Sequence, residues 1–136
     1  MNPDAMTVKN MSFKVGQTLT LGGTIKPDAA KFAVNISPDG NDITMHVNPR
    51  FDSDGDQNTV VCNSYQDGAW CEEQREAGFP FTAGGEFKMS ITFNPGDFLV
   101  VLPDGSSFSF PNRMGRDKYS VVSVDGDARI TTFEIK

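Results

Sequence analysis

His46, Asn48 and Arg50 stand two residues apart. Side chains alternate between the faces of a β-strand, so this spacing puts an imidazole, a carboxamide and a guanidinium in one row. Asn63 follows, and then Glu73 and Arg75 at the same spacing, with Trp70 just ahead of them. Together these groups offer fixed hydrogen-bond donors and acceptors around one flat apolar ring. That chemistry suits a neutral ligand rich in hydroxyls, with C–H faces of its own, which means a sugar.

Other chemistries fit the same residues less well. His46 is the only histidine, and a lone histidine is more often a hydrogen-bonded structural residue than a catalyst. No Ser-His-Asp set can be assembled around it, and a metal site would need further ligands. Its company on one face with Asn48 and Arg50 argues against an isolated, solvated imidazole. Asp52, Asp54 and Asp56 open like a calcium loop, but Gln57 stands where that loop needs Gly and Asn63 where it needs Glu. They read as an acidic turn, and neither metal nor cofactor is expected. Arg50, Glu73 and Arg75 could be a surface charge cluster of little consequence. They could equally be a network that holds each planar head group in a fixed orientation. A glycosidase using Glu73 and Asp56 would need a carboxylic acid kept protonated, and flanking arginines favour the ionised form instead. Enzymatic activity is therefore not expected.

The elements that must position these groups are strands. Phenylalanine is abundant (11 residues), helix signals are scarce, and turn residues interrupt period-two alternation at short intervals. The pattern predicts strands over 17–25, with a break at Gly22-Gly23, and over 31–37, 42–51 and 58–64. Further strands fall over 86–93, 98–102, 107–110, 119–124 and 128–135. In the strand 42–51, Ile43, Met45 and Val47 face one way, and Thr44, His46, Asn48 and Arg50 the other. A one-residue slip would bury the polar row, so the register is well specified. Residues 51–57 read as a loop. In 58–64, Val61 and Asn63 share a face, opposite Val60 and Cys62. If this strand and the segment carrying Trp70, Glu73 and Arg75 adjoin 42–51, their polar faces merge. Pro103-Asp104-Gly105 and Asp125-Gly126-Asp127 read as hairpin turns. The fold class is all-β: a two-sheet antiparallel β-sandwich of jelly-roll type.

The whole chain is consistent with this. Its 136 residues suit one domain spanning 1–136, with residues 1–5 a flexible start. Eighteen acidic against 12 basic residues give a net charge of −6, which disfavours nucleic acid as a partner. No run is long and apolar enough to insert in a membrane. Residues 1–10 lack the apolar core of a signal peptide. Cys62 and Cys71 fit no zinc spacing and are expected to be buried free thiols. Asn10-Met-Ser12 and Asn35-Ile-Ser37 match the glycosylation pattern and are expected to stay unmodified.

The central stretch, with Phe79-Pro80-Phe81, Leu102-Pro103-Asp104-Gly105 and Phe108-Ser109-Phe110-Pro111-Asn112-Arg113, resembles the galectin carbohydrate-recognition domain over nearly the whole chain. The resemblance implies a metal-independent β-sandwich lectin for β-galactosides such as lactose and N-acetyllactosamine. It implies that His46, Asn48 and Arg50 bond the axial 4-hydroxyl of galactose. Asn63 and Glu73 would hold the 6-hydroxyl, and Trp70 would stack on the ring. Arg50, Glu73 and Arg75 would reach the neighbouring sugar, with Asp56 orienting the arginines. Two positions depart from the family: Asp54, where many members carry His, and Cys71, where Gly is common. The resemblance further implies a homodimer built on terminal strands, with suitable patterns at 8–13 and 130–135, acting in the cytosol and outside cells. The competing reading is a sandwich whose groove takes a protein partner and whose sugar site is vestigial.

Overall fold

The strand pattern is realised in a computed structural model that describes residues 5–136. Of the flexible start expected at 1–5, only Ala5 lies within that range. The larger sheet runs in the order β1 (Met6–Val8), β13 (Val121–Gly126), β4 (Phe32–Ser37), β5 (Ile43–Ser53) and β6 (Asp56–Gln66). On the far side of β6 lie two short strands, β7 (Ala69–Trp70) and β8 (Gln74–Glu76). The facing sheet runs β11 (Ser107–Pro111), β10 (Asp97–Val101), β9 (Glu86–Phe93), β3 (Thr18–Ile25) and β14 (Ala128–Ile135). A small ladder joins β2 (Phe13–Lys14) to β12 (Lys118–Tyr119). All pairings are antiparallel, as the turn-rich alternation requires.

The alternating apolar residues fill the space between the sheets. Phe32, Val34 and Ile36 from β4 and Met45 and Val47 from β5 meet Phe87, Met89, Ile91 and Phe93 from β9, all buried. Because one face of β4 and β5 is committed to this core, the opposite face of the larger sheet is left for polar groups.

Three local readings are corrected by the structure. Residues 51–57 are not a loop. β5 and β6 pair down to Ser53–Asp56, and only Asp54 and Gly55 form the turn, both at positive φ (54° and 84°). This is the Asp-Gly two-residue hairpin, whose left-handed turn matches strand twist. Second, β3 runs unbroken through Gly22-Gly23. The glycines serve a close approach instead: β14 bulges between Ile130 and Thr132, and a Cβ on Gly23 would sit 2.1 Å from the Arg129 carbonyl oxygen. Third, Asp125-Gly126-Asp127 is not a hairpin. β13 pairs with β4 and β1, whereas β14 pairs with β3 in the other sheet. The corner is pinned to the β3–β4 connection. Asp127 accepts from the Ala30 and Lys31 amides at 2.9 and 3.3 Å, and a Cβ on Gly126 (φ +99°) would lie 2.7 Å from the Phe32 Cα. The crossing leaves β1 and β14 as end strands of their respective sheets. The terminal pattern at 8–13 is divided between β1 and β2.

Candidate functional site

The polar row on β5 lies on the outer face of the larger sheet, where His46 pairs across to Asn63 and Asn48 to Val61 on β6. His46, Asn48, Arg50, Asp54, Val61, Asn63, Trp70 and Glu73 line one groove of about 620 Å³. Lys31, Phe32, Ala33 and Cys71 complete its walls, with Asp125 and Gly126 at the β13 side. Arg75 and Asp56 are not part of this lining, but ion pairs tie them to Glu73 and Arg50, which are. Thr44 leaves the row: the β5–β6 register shifts between Ile43 and His46, and its buried hydroxyl bonds Tyr119 at 3.1 Å instead.

Pro49 explains part of the geometry. It has no N–H to give, and the paired run between β4 and β5 stops at Val34–Val47. The side chain of buried Asn48 supplies a replacement, its Nδ2 donating to the Phe32 carbonyl at 2.8 Å. Its Oδ1 accepts from Arg50 Nε at 2.9 Å. Both ends of the carboxamide are thus fixed, and one Nδ2 hydrogen remains for another acceptor.

Arg50 is the hub of the network, with a side chain only 13% exposed. Its Nη1 meets Asp56 at 2.7 Å, and its Nη2 lies 3.8 Å from Glu73. Arg75 duplicates these contacts, reaching Asp56 at 3.0 Å and Glu73 at 2.9 Å. Two carboxylates thus hold two guanidiniums, and the hydrogen bonds from Arg75 and Arg50 keep Asp56 below the usual carboxylate range. Asp54 is held low as well, by the Ser53 hydroxyl and by Lys31 Nζ at 3.0 Å. Lys31 and Asp54 thereby form an ion pair along one wall.

His46 is neutral at pH 7. Burial, reinforced by the Arg50 charge, pushes its imidazole from 6.5 down to about 4. Its Nδ1 lies 2.6 Å from Asn35 Oδ1, and Asn35 Nδ2 donates to Ser123 Oγ at 3.3 Å. An amide oxygen only accepts, so Nδ1 carries the proton and Nε2 is left as an acceptor. Asn35 is buried in this role, which removes it as a glycosylation site. Trp70 is 51% exposed, yet it is braced. Its ring centroid lies 4.8 Å from that of His46 and 5.1 Å from that of Tyr65, its partner across β6–β7. A flat indole beside five polar heads gives the groove one apolar and one polar wall.

The family model for galactoside-binding lectins matches residues 4–135. The chain belongs to the galactoside-binding lectin family. A curated relative, the β-galactoside-binding lectin of Electrophorus electricus, is 48% identical over 128 residues, covering 94% of this chain and 95% of that protein. Among solved structures, galectin-1-L2 of Dario rerio is 53% identical with a TM-score of 0.93, over 96% of this chain and 98% of that one. CG-16, a homodimeric agglutinin from chicken liver, is 38% identical (TM-score 0.92; 97% and 99% covered). Congerin II liganded with lactose and MES is 36% identical (TM-score 0.94; 98% and 100% covered).

In this member of the lectin family the two thiols differ, which corrects the expectation that both are buried. Cys62 sits in the core between the sheets, where burial raises its pKa, whereas Cys71 is exposed and lines the groove beside Trp70. We predict that one thiol per folded chain reacts with a thiol-directed disulfide reagent and two react after unfolding. Two fast thiols in the native protein would contradict this packing. The sequence reading also missed two residues that act on the lectin groove. Asn35 had a signal, since the alternation that buries Val34 and Ile36 turns Asn35 to the site face. Arg113 belongs to the stretch that carries the family resemblance, but its role had no signal, because it lies outside any strand and reaches Asn63, Ser64 and Glu72 from about 40 to 50 residues away.

Proposed function

We propose that this chain binds the terminal galactose of β-galactosides such as lactose and N-acetyllactosamine, without a metal and without cleaving them. The observation that carries the reading is the groove itself: a neutral His46 acceptor, the fixed Asn48 and Arg50 donors, Asn63 and Glu73, all within reach of the exposed Trp70 face. An axial 4-hydroxyl would donate to His46 Nε2 and accept from Asn48 and Arg50. Asn63 and Glu73 would take the 6-hydroxyl, and Trp70 would cover the apolar face of the ring. Arg50, Glu73 and Arg75, with Asp56 behind them, would hold the second sugar. Val61 lines the groove, and Asp54 with Lys31 bounds it. Lactose bound to a relative of the same fold supports this ligand class. Hydrolysis is disfavoured by the same network, because the hydrogen bonds from Arg75 and Arg50 keep Asp56 ionised, whereas a glycosidase needs a carboxylic acid that stays protonated.

We read the chain as one domain over 1–136 that dimerises through β1 and β14, the end strands of the two sheets. A homodimeric relative supports that assembly. Two sites in one particle would cross-link glycans and raise effective affinity. No helix among the described residues is long and apolar enough to cross a membrane. Our reading places the protein in the cytosol and at the cell exterior, where such glycans are displayed.

The test is a titration of the chain's one tryptophan by fluorescence, with lactose against cellobiose. The two sugars differ only at the 4-hydroxyl of the non-reducing ring. Lactose should saturate, and cellobiose should bind about tenfold more weakly or worse, because its equatorial hydroxyl leaves buried groups unpaired. Equal binding of the two would remove the proposed role of His46, Asn48 and Arg50.

A further inference from the structure

Arg113 lies in the segment after β11, at the edge of the facing sheet, yet its head group reaches the site sheet. Nη1 donates to Asn63 Oδ1 at 3.2 Å and to Ser64 Oγ at 3.0 Å, and Nη2 donates to the Glu72 carbonyl at 2.8 Å. The guanidinium carbon sits 4.7 Å from the centroid of the Phe110 ring, which supports it from below. These partners belong to β6, which carries Asn63, and to the connection that leads from Trp70 on β7 to Glu73 just before β8.

The effect on Asn63 follows from donor and acceptor counts. Its Oδ1 already accepts from the Ser64 amide at 2.8 Å, and Arg113 adds a second, charged donor. An amide nitrogen in that position would face two donors, so the carboxamide has one allowed direction. Its Nδ2 then donates to the Cys71 carbonyl at 3.1 Å and keeps one hydrogen for a ligand. Without the guanidinium, Oδ1 would keep only the local amide, and the Glu72 carbonyl would lose this anchor to the facing sheet.

We propose that Arg113 is a positioning residue for galactoside binding: it touches no sugar, but it fixes the direction of the Asn63 carboxamide and anchors the Trp70–Glu73 connection beside it. The inference rests on the reading that Asn63 holds the 6-hydroxyl of galactose. A second tie between the same elements, Gln74 Nε2 to the Ser109 carbonyl at 2.9 Å, touches neither Asn63 nor the groove. It is the natural control for a purely structural role.

The experiment measures affinities for lactose and for lactose lacking the 6-hydroxyl of its galactose ring, by calorimetry, on wild type and on Arg113→Met, Arg113→Lys, Asn63→Ala and Gln74→Ala. Wild type should prefer lactose, and Asn63→Ala should erase most of that preference. Arg113→Met should weaken lactose binding about tenfold and erase the same preference, while Gln74→Ala keeps it. Arg113→Lys keeps the charge near Phe110 but cannot reach all three acceptors, so it should fold and still lose the preference, which covers the case of a misfolded methionine variant. If Asn63→Ala erases the preference but both Arg113 variants retain it, the positioning role is overturned and the sugar reading stands. If wild type shows no preference, or Asn63→Ala retains it, the assignment of Asn63 fails and the role of Arg113 falls with it.

Discussion

Trp70→Ala should weaken lactose binding about a hundredfold or more, an effect of roughly 2.7 kcal/mol, while the sandwich stays folded. The two halves of that expectation come from one fact, the 51% exposure of the side chain. A residue so exposed contributes little to the core, and the buried cluster between the sheets does not include it. Yet the indole is held in place by His46 on one side and Tyr65 on the other, so its face is pre-organised and binding need not order it. Truncation removes the exposed aromatic face of the groove and leaves its polar groups to face a sugar with no stacking partner. Rigid aromatic anchors of this type carry a disproportionate share of binding energy. Calorimetry with lactose is the direct check, since the variant has no tryptophan to report. Sheet content by circular dichroism should match wild type. Normal lactose affinity in the folded variant would mean that the sugar sits elsewhere.

The sequence carried the row on β5 because that strand is central and its other face is committed to the core. Burial of Met45 and Val47 forces His46, Asn48 and Arg50 outward together. The same parity argument failed at Thr44, because a register irregularity between Ile43 and His46 is a property of the strand pair and not of either strand alone. The β13–β14 corner was misread for a related reason. Asp125-Gly126-Asp127 announces a reversal, but whether the chain returns in the same sheet depends on what the corner packs against, here the backbone of Lys31 and Phe32. Residues 51–57 were a matter of weight: the Asp54-Gly55 signal for a two-residue turn was present and was outvoted by three aspartates. The arginine–carboxylate network was legible in kind. Its saturation, with Arg75 and Arg50 sharing Asp56, was not, because it needs the strand β8 beside β6.

Acid should act on this protein in two separate windows through one residue. His46 is the only histidine, so between pH 6.5 and about 4 it supplies the distinctive difference in proton uptake between folded and unfolded chains. In the unfolded chain it takes a proton near 6.5. In the folded chain, burial and the Arg50 charge delay protonation to about 4. The folded pKa is depressed, so the stability it contributes is complete above 6.5 and is lost as pH falls toward 4, by up to about 3 kcal/mol in total. Lactose affinity follows a different clock, because it depends on the protonation of the folded state alone. It should stay flat from pH 7 to about 5 and then fall, approaching tenfold per unit below 4, as Nε2 gains a proton and ceases to accept the 4-hydroxyl. Asp54 and Asp56, both held below the usual carboxylate range, add their loss only further into acid. Urea midpoints for wild type and His46→Gln across pH 4 to 7.5 should converge toward acid, since the variant lacks the histidine-dependent decline. Lactose titrations of wild type over the same range should show no parallel decline above pH 5. An affinity that falls together with stability from pH 6.5 downward would mean that the folded imidazole titrates normally, and that burial in this groove is too shallow to keep it neutral.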